Sequence, residues 1–291
     1  MEYLGTEKPV NKIQPLVSVC ITTYNHREFI AECLESVLIQ KTDFPFEIIV
    51  GEDDSTDGTR EICKAYAEKH PDKIRLFLRK SKDKIYIDGH KTGRFNFIAG
   101  IKAARGKYIA LCDGDDFWLT DIKLQLQKNT IEEDPNASLV FSGWNSKQKD
   151  FDSSNVKLSR HNKKGEFDNS IAHTSSLFFK HVLHEIPICF YEVYALDRRL
   201  FSHILDYGHA IQIRPFLSYY RLHQGGVWTG FTEKMKTKRR IYDLKVLLRH
   251  KKISFYYFFT RSISLKYPIV KEKERQLKVA LKHLIRPLFK W

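Results

Sequence analysis

The sequence predicts an α/β protein built on a largely parallel sheet, and three observations carry that expectation. Short β-branched, apolar runs alternate with stretches whose apolar residues keep a helical period through the first half of the chain. Three of those runs end in polar, acid-rich turns: TTYN (22–25), EDDSTDGT (52–59) and CDGDD (112–116). The chain has 291 residues and is 42% apolar, enough to bury a core in one large domain or two small ones.

LVSVCIT (16–22) reads as a buried strand. YNHREFIAECLESVLIQ (24–40) reads as a helix, with Phe29, Ile30, Cys33, Leu34, Val37 and Leu38 on one face and Asn25 with Glu28 as its capped start. FEIIVGE (46–52) is a second strand and TREICKAYAEKH (59–70) a second helix. KIRLFLR (73–79) is a third strand, and RFNFIAGIKAARG (94–106) a helix that Gly106 would stop. KYIALCD (107–113) is a fourth strand. Beyond it, ASLVFSGWN (137–145) and TSSLFFK (174–180) read as strands, and residues 150–170 as a polar loop. DRRLFSHILDYG (197–208) reads as a helix with Leu200, Ile204 and Leu205 inward, and AIQIRPFLSYYRLH (210–223) as an extended segment. Ligands of open parallel sheets bind beyond the carboxyl ends of the strands, so the three acidic turns should share one edge.

The net charge of +14 is unevenly placed. Residues 231–291 hold 18 Lys and Arg against 4 Asp and Glu, whereas residues 1–230 hold 31 of each. A neutral body without a recognisable nucleic-acid motif argues against a nucleic-acid binder, so no nucleic-acid partner is expected. The five cysteines lie in apolar runs without a CxxC pair or zinc spacing, which reads as reduced core residues of a cytoplasmic protein. No apolar h-region follows the first Met, and no uncharged run approaches the roughly 18 residues of a spanning helix.

Asp113, Asp115 and Asp116 crowd into four positions after the fourth strand. Such carboxylates either hold a hard cation, which then grips substrate phosphates, or remain a solvated turn or helix start. At this point a family resemblance enters. VSVCITTYNHREFIAECLESVL, EIIVGEDDSTDGT and ARGKYIALCDGDDFW, in this order and spacing, resemble the family 2 glycosyltransferases of the GT-A fold over residues 15–145. The likeness runs on through HTSSLFFK and LDRRLF to YYRLHQGGVW. It implies a GT-A domain over residues 1–230, with a nucleotide-sugar-binding half at 15–116, an acceptor half at 117–230, and a basic tail at 231–291.

The resemblance also implies an inverting, metal-dependent transfer of a sugar from a nucleotide-diphosphate donor, a UDP-sugar in the first instance. The acceptor would be a hydroxyl of a glycan or lipid-linked molecule in cell-surface polysaccharide synthesis. Thr22, Tyr24 and Asn25 match the turn that holds base and ribose, and Asp53 the aspartate that recognises the base. Asp113 matches the residue near ribose and metal, Asp115 the metal ligand, and Asp116 a hydrogen-bonding helper. His223 matches a residue that approaches the metal, Mn2+ or Mg2+, and Arg221 a diphosphate fork. Asp197 matches the general base that takes the acceptor proton, its other reading being a helix N-cap. Asp54, Ser55, Thr56 and Asp57 read as caps of the second helix, and Trp118, Trp144 and Trp228 as core residues or sugar platforms. A sugar nucleotidyltransferase is the alternative on a similar sheet, but TTYNHRE lacks its glycine-rich loop. The tail, basic and interleaved with Leu, Ile and the aromatic run FYYFF (255–259), reads either as an anchor on an anionic membrane's inner face or as a helical extension.

Overall fold

The computed structural model describes residues 1–3, 5, 14–145, 156–161, 172–224, 226, 231–253, 257 and 261–262. Contacts divide the chain into two units. One comprises Met1–Ile186 with Leu196–Leu222, the other Pro187–Ala195 with His223–Trp291.

In the first unit, strands β1 (Glu2–Tyr3), β2 (Val17–Thr23), β3 (Phe46–Glu52) and β4 (Ile74–Leu78) alternate with helices α1 (Ile30–Leu38) and α2 (Thr59–Lys69). A small hairpin, β5 (Ile85–Ile87) and β6 (His90–Thr92), leads into α3 (Arg94–Ala103) and then β7 (Tyr108–Asp113). Strands β4, β3, β2 and β7 lie side by side in that order and all run parallel. All seven residues of β3 are buried, as a strand covered on both faces requires. Helix α1 turns Ile30, Cys33, Leu34 and Val37 inward at the period the sequence shows. The chain leaves β2 toward β3 on one side and returns later to β7 on the other, so the topological switch point lies between β2 and β7.

The second half of this unit changes strand direction, and that change places the site. After β8 (Phe117–Trp118) and α4 (Lys123–Glu133) come β9 (Ala137–Asn145), β10 (Lys157–His161), β11 (Phe178–Lys180), α5 (Leu196–Ile204) and β12 (His209–Tyr219). Strand β11 inserts between β7 and β9, antiparallel to both. Its amino end therefore meets the carboxyl end of β7. Strand β12 runs parallel to β9, so Tyr219 and the residues after it arrive at the same edge. Helix α5 leads into the opposite end of β12, and the charge of Asp197 in its first turn is felt at Asp113.

Several local readings are corrected. Asn25 does not cap α1. It takes a left-handed backbone (φ 53°), and the helix starts at Ile30. TSSLFFK is a 3-10 turn over Thr174–Ser176 followed by a three-residue strand. The polar stretch 150–170 contains β10, an edge strand paired with β12, because an edge strand can leave its polar side chains in water. In α5 the buried positions are Leu196, Leu200, Phe201 and Ile204, and Leu205 lies past its end. The five cysteines are free and buried, as expected.

The second unit contains a 3-10 turn (Ile188–Tyr191) and helix α6 (Glu233–Arg249), whose start is capped by the Thr232 hydroxyl accepting from the Met235 amide at 3.3 Å. Asp243 on α6 accepts from the backbone amides of Tyr194 and Ala195, and the Arg239 guanidinium lies 3.6 Å from the Phe231 ring centroid. Much of FYYFF lies outside the described residues.

Gly106 does not cap α3, which ends three residues earlier. It is needed for a close approach. A Cβ there would stand 2.6 Å from the Ser18 amide nitrogen and 2.8 Å from the Val17 carbonyl carbon, both in the backbone of β2. Its own amide donates to the Ser18 hydroxyl at 2.9 Å. Gly106→Ala should therefore lower stability by about 1–3 kcal/mol, the usual cost of overpacking against a rigid neighbour. Urea unfolding followed by circular dichroism measures it, and an unchanged midpoint contradicts the assignment.

Candidate active site

The three acidic turns meet at the carboxyl edge of the parallel strands, as the sequence requires. Thr22 and Asp113 are register partners across the switch point, and the Thr22 hydroxyl donates to Asp113 Oδ1 at 3.2 Å. The Gly114 amide donates to the Thr22 carbonyl at 2.8 Å, which locks the acidic turn onto the end of β2. A side chain at Gly114 would fall 2.7 Å from Thr23 and 3.0 Å from His26 Nδ1, so this spacer must be a glycine.

Asp116 is buried, and its oxygens are supplied with donors. The Ser175 hydroxyl donates to Oδ2 at 2.5 Å and the Arg221 amide to Oδ1 at 3.0 Å. The Asp113 amide donates in turn to the Ser175 oxygen at 2.9 Å. His173 Nδ1 lies 3.4 Å from Asp116 Oδ2 and caps the 3-10 turn by accepting from the Ser175 amide at 3.3 Å. The Tyr220 ring packs on His173, centroids 4.3 Å apart. Asp115, expected on the metal, lies near His26, with Nε2 3.7 Å from Oδ2.

Burial pushes Asp113 up to about 7, helped by the charges of Asp115 and Asp197 and opposed by the Thr22 hydroxyl. Burial likewise raises Asp116 well above the usual carboxylate range, with Asp113 and Asp115 adding to the effect. Burial pushes His173 down to about 4, so its imidazole is neutral at pH 7. Donor atoms of Asp113, Asp116 and His173 lie within 4.8 Å of one another. Two carboxylates that resist ionising together and one neutral imidazole fit a divalent cation, which would relieve the repulsion. Carboxylates suit Mn2+ and Mg2+ alike, and the imidazole favours Mn2+. This set differs from the expected one. Asp116, read as a helper, is one of the converging groups, and His173 was not singled out.

Beside this cluster the first two turns are tied together. The Asn25 amide donates to the Ser55 hydroxyl at 2.9 Å, and Asn25 Oδ1 accepts from the Thr56 amide at 3.0 Å. Asp57 Oδ1 accepts from the Thr59 amide at 3.0 Å as α2 begins, whereas Asp54 pairs with Arg60 at 3.1 Å. Glu52 is buried against Arg60. Asp53 is buried with Lys84, Nζ 3.3 Å from Oδ2, and burial raises its pKa against the pull of that lysine. The same Nζ stands 3.7 Å from the ring centroid of Tyr24, whose side chain is 46% exposed. Lys84 is one of three closely spaced lysines, with Lys80 and Lys82, in a polar connection and carried no signal in the sequence.

The Arg221 guanidinium donates from Nε to the Asp115 carbonyl at 2.9 Å, pairs with Glu32, and lies over the rings of Phe29 and Phe117. It braces the acidic turn, and the diphosphate role expected of it rests on the resemblance alone. Asp197 sits in the first turn of α5, and its charge is felt at Asp113. His223 opens the second unit, and the metal role expected of it rests on the resemblance alone. Trp118 is core, its indole N–H donating to the Ser175 carbonyl at 3.0 Å. Trp228 and the side chain of Trp144 lie outside the described residues.

Comparison with known proteins agrees with the fold. The profile of the family described as glycosyl transferase family 2 matches residues 18–184. The putative teichuronic acid biosynthesis glycosyltransferase TuaG of Bacillus subtilis (strain 168) is 33% identical over 131 residues, which is 45% of this chain and 47% of that protein. The chain spans between about a fifth and a half of the length of the curated relatives it matches. Among solved structures, mannosyltransferase PcManGT from Pyrobaculum calidifontis, in complex with GDP-Man and Mn2+, superposes with a TM-score of 0.56 at 19% identity, covering 83% of this chain and 66% of that one. S. aureus TarS 1-349 in complex with UDP-GlcNAc gives 0.58 at 15% identity, covering 87% and 72%. At these identities the likeness concerns the fold, a mixed α/β domain of GT-A type.

The raised pKa of Asp113 has a sign that can be checked. Between the ordinary carboxylate value of about 4 and its folded value of about 7, the folded protein holds a proton that the unfolded chain has released. The stability this group contributes is complete below the first value and is lost as pH rises through the second. Asp113→Asn cannot ionise. It should raise the thermal midpoint of the metal-free protein at pH 8 by at least about 2 °C, with a smaller change at pH 5. Melting curves in the presence of a chelator measure this, and an equal shift at both pH values contradicts it.

Proposed function

The chain belongs to glycosyl transferase family 2, and on that premise we propose that it is an inverting glycosyltransferase. It would move a sugar from a nucleotide-diphosphate donor to a hydroxyl of a glycan or lipid-linked acceptor in cell-surface polysaccharide synthesis. The observation that carries this reading is the convergence of Thr22, Asp53 and the Asp113–Asp116 turn on the switch point of the sheet, with the charge of Asp197 reaching the same place. The teichuronic acid assignment of TuaG and the GDP-Man and UDP-GlcNAc held by the two solved neighbours support the donor and pathway class. A UDP-sugar is the donor to test first.

In this reading the exposed Tyr24 ring stacks on the nucleobase while Asp53, held by Lys84, meets its edge. Thr22 and Asn25 hold the ribose side and tie the first two turns together. Asp113, Asp116 and His173 hold the cation, with Asp115 beside them. Bound there, Mn2+ or Mg2+ would supply charge neutralisation for the departing nucleotide diphosphate. Asp197 takes the proton of the acceptor hydroxyl as that oxygen forms its bond to the anomeric carbon. Its place at the start of a helix favours the carboxylate form, which a base requires.

A panel of nucleotide sugars incubated with the protein and Mn2+, read by nucleoside diphosphate release, tests the activity. Asp197→Asn should lower turnover roughly 10²- to 10⁴-fold, the usual contribution of a positioned base, while leaving nucleotide affinity unchanged. Near-normal turnover in that variant, with loss in Glu192→Gln or Asp206→Asn instead, would move the base to one of those residues.

The basic tail is proposed to place the enzyme on the cytoplasmic face of an anionic membrane. Among the described residues no helix is long and apolar enough to cross a membrane. Lys234, Lys238 and Lys245 on α6 are exposed, and each cation near such a surface contributes on the order of 1 kcal/mol. Co-sedimentation with phosphatidylserine vesicles should fall as salt rises and on deletion of residues 231–291. No binding at low salt would refute the anchor.

A further inference from the structure

Helix α4 begins with a lysine that has no exposed surface at all. Lys123 is buried, as are its neighbours Gln127, Ser175 and Ser176, and Trp118 nearly so. Its Nζ lies 4.0 Å from the Trp118 ring and donates to Gln127 Oε1 at 2.6 Å. Gln127 Nε2 donates to the Ser176 carbonyl at 2.8 Å, and Trp118 Nε1 donates to the Ser175 carbonyl at 3.0 Å. Two consecutive carbonyls of the turn that carries His173 and Ser175 are thus gripped from below by two side chains. Both of those side chains touch Lys123.

The hydrogen-bond logic runs one way. A carbonyl can only accept, so Gln127 must turn its NH₂ to Ser176 and its oxygen to Lys123. That buried oxygen then needs a donor, and the ammonium supplies it. Without the lysine, the amide would leave its oxygen unsatisfied or rotate and lose Ser176. The indole is fixed from its face by the same Nζ, and from its backbone by the Trp118 amide donating to the Ser36 hydroxyl at 3.1 Å.

We propose that Lys123 is a positioning residue for the His173–Ser176 turn. Through Gln127 and Trp118 it sets where His173 and Ser175 stand against Asp113 and Asp116. This inference rests on the reading of Asp113, Asp116 and His173 as a cation site, which it supplies with a second layer of support. Such outer contacts commonly change metal affinity by about 10- to 100-fold. Burial pushes Lys123 down to about 7, so a lysine that served packing alone would be replaced by methionine at no loss, or with a gain in stability.

The experiment compares the full-length protein with Lys123→Met and Gln127→Glu, titrating Mn2+ alone and reading free Mn2+ by electron paramagnetic resonance. Gln127→Glu keeps an acceptor for Lys123 but removes the donor to Ser176. Both variants are expected to keep the wild-type circular dichroism spectrum and to bind Mn2+ at least about tenfold more weakly. Wild-type affinity in the two variants overturns the inference and leaves the cation site standing. A loss that only tracks the unfolded fraction also overturns it. No binding by the wild type overturns the cation site and this inference together. Should Lys123→Met not fold, Gln127→Glu decides alone.

Discussion

A half-buried and a buried carboxylate, Asp113 and Asp116, set close together past the end of a parallel strand impose the constraint from which the rest of the site follows. Asp113 and Asp116 cannot both ionise cheaply where they stand, and each neighbouring group answers that repulsion. Thr22 and Ser175 give hydroxyl donors, and the Arg221 backbone gives an amide. His173 offers a neutral nitrogen rather than a further charge. Donors alone leave both pKa values raised, and a cation bound there would relieve the remaining repulsion.

Topology explains why residues so far apart in the chain answer to the same pair. A purely parallel sheet would bring only the ends of β2, β3 and β7 together. The antiparallel β11 delivers the turn before it, and the residues after β12 arrive from the far side of β9. The site is therefore a seam between a nucleotide-type parallel half and a mixed half. The two halves join through the Ser175 and Arg221 contacts to the acidic turn. The same turn is braced a second time by the Arg221 side chain, held on Glu32 and two aromatic rings.

What the sequence made legible was whatever local pattern determines. The four parallel strands, their helices and the three acidic turns follow from periodicity and from the residues that end each run. Tyr24, Asp53 and Asp113 stand on one edge because strand ends must. What stayed hidden depends on partners distant in the chain. His173 reads as the start of a strand until β11 proves short and antiparallel, and Lys84 is one lysine among several until the Asp53 carboxylate stands 3.3 Å away. Asn25 has the local signature of a helix cap, yet its side chain serves the second turn, because a left-handed backbone carries it away from α1. The edge strand β10 was masked by its polar residues, which an edge tolerates and a buried strand does not.

The central claim is that a divalent cation completes the Asp113–Asp116–His173 cluster. Crystals grown with Mn2+ and a nucleoside diphosphate, with diffraction collected at the manganese absorption edge, test it most directly. The account expects an anomalous peak in contact with Asp113 and with Asp116 or His173. A peak coordinated by Asp115 with both Asp116 and His173 remote from it, or no peak at all with nucleotide bound, would contradict it.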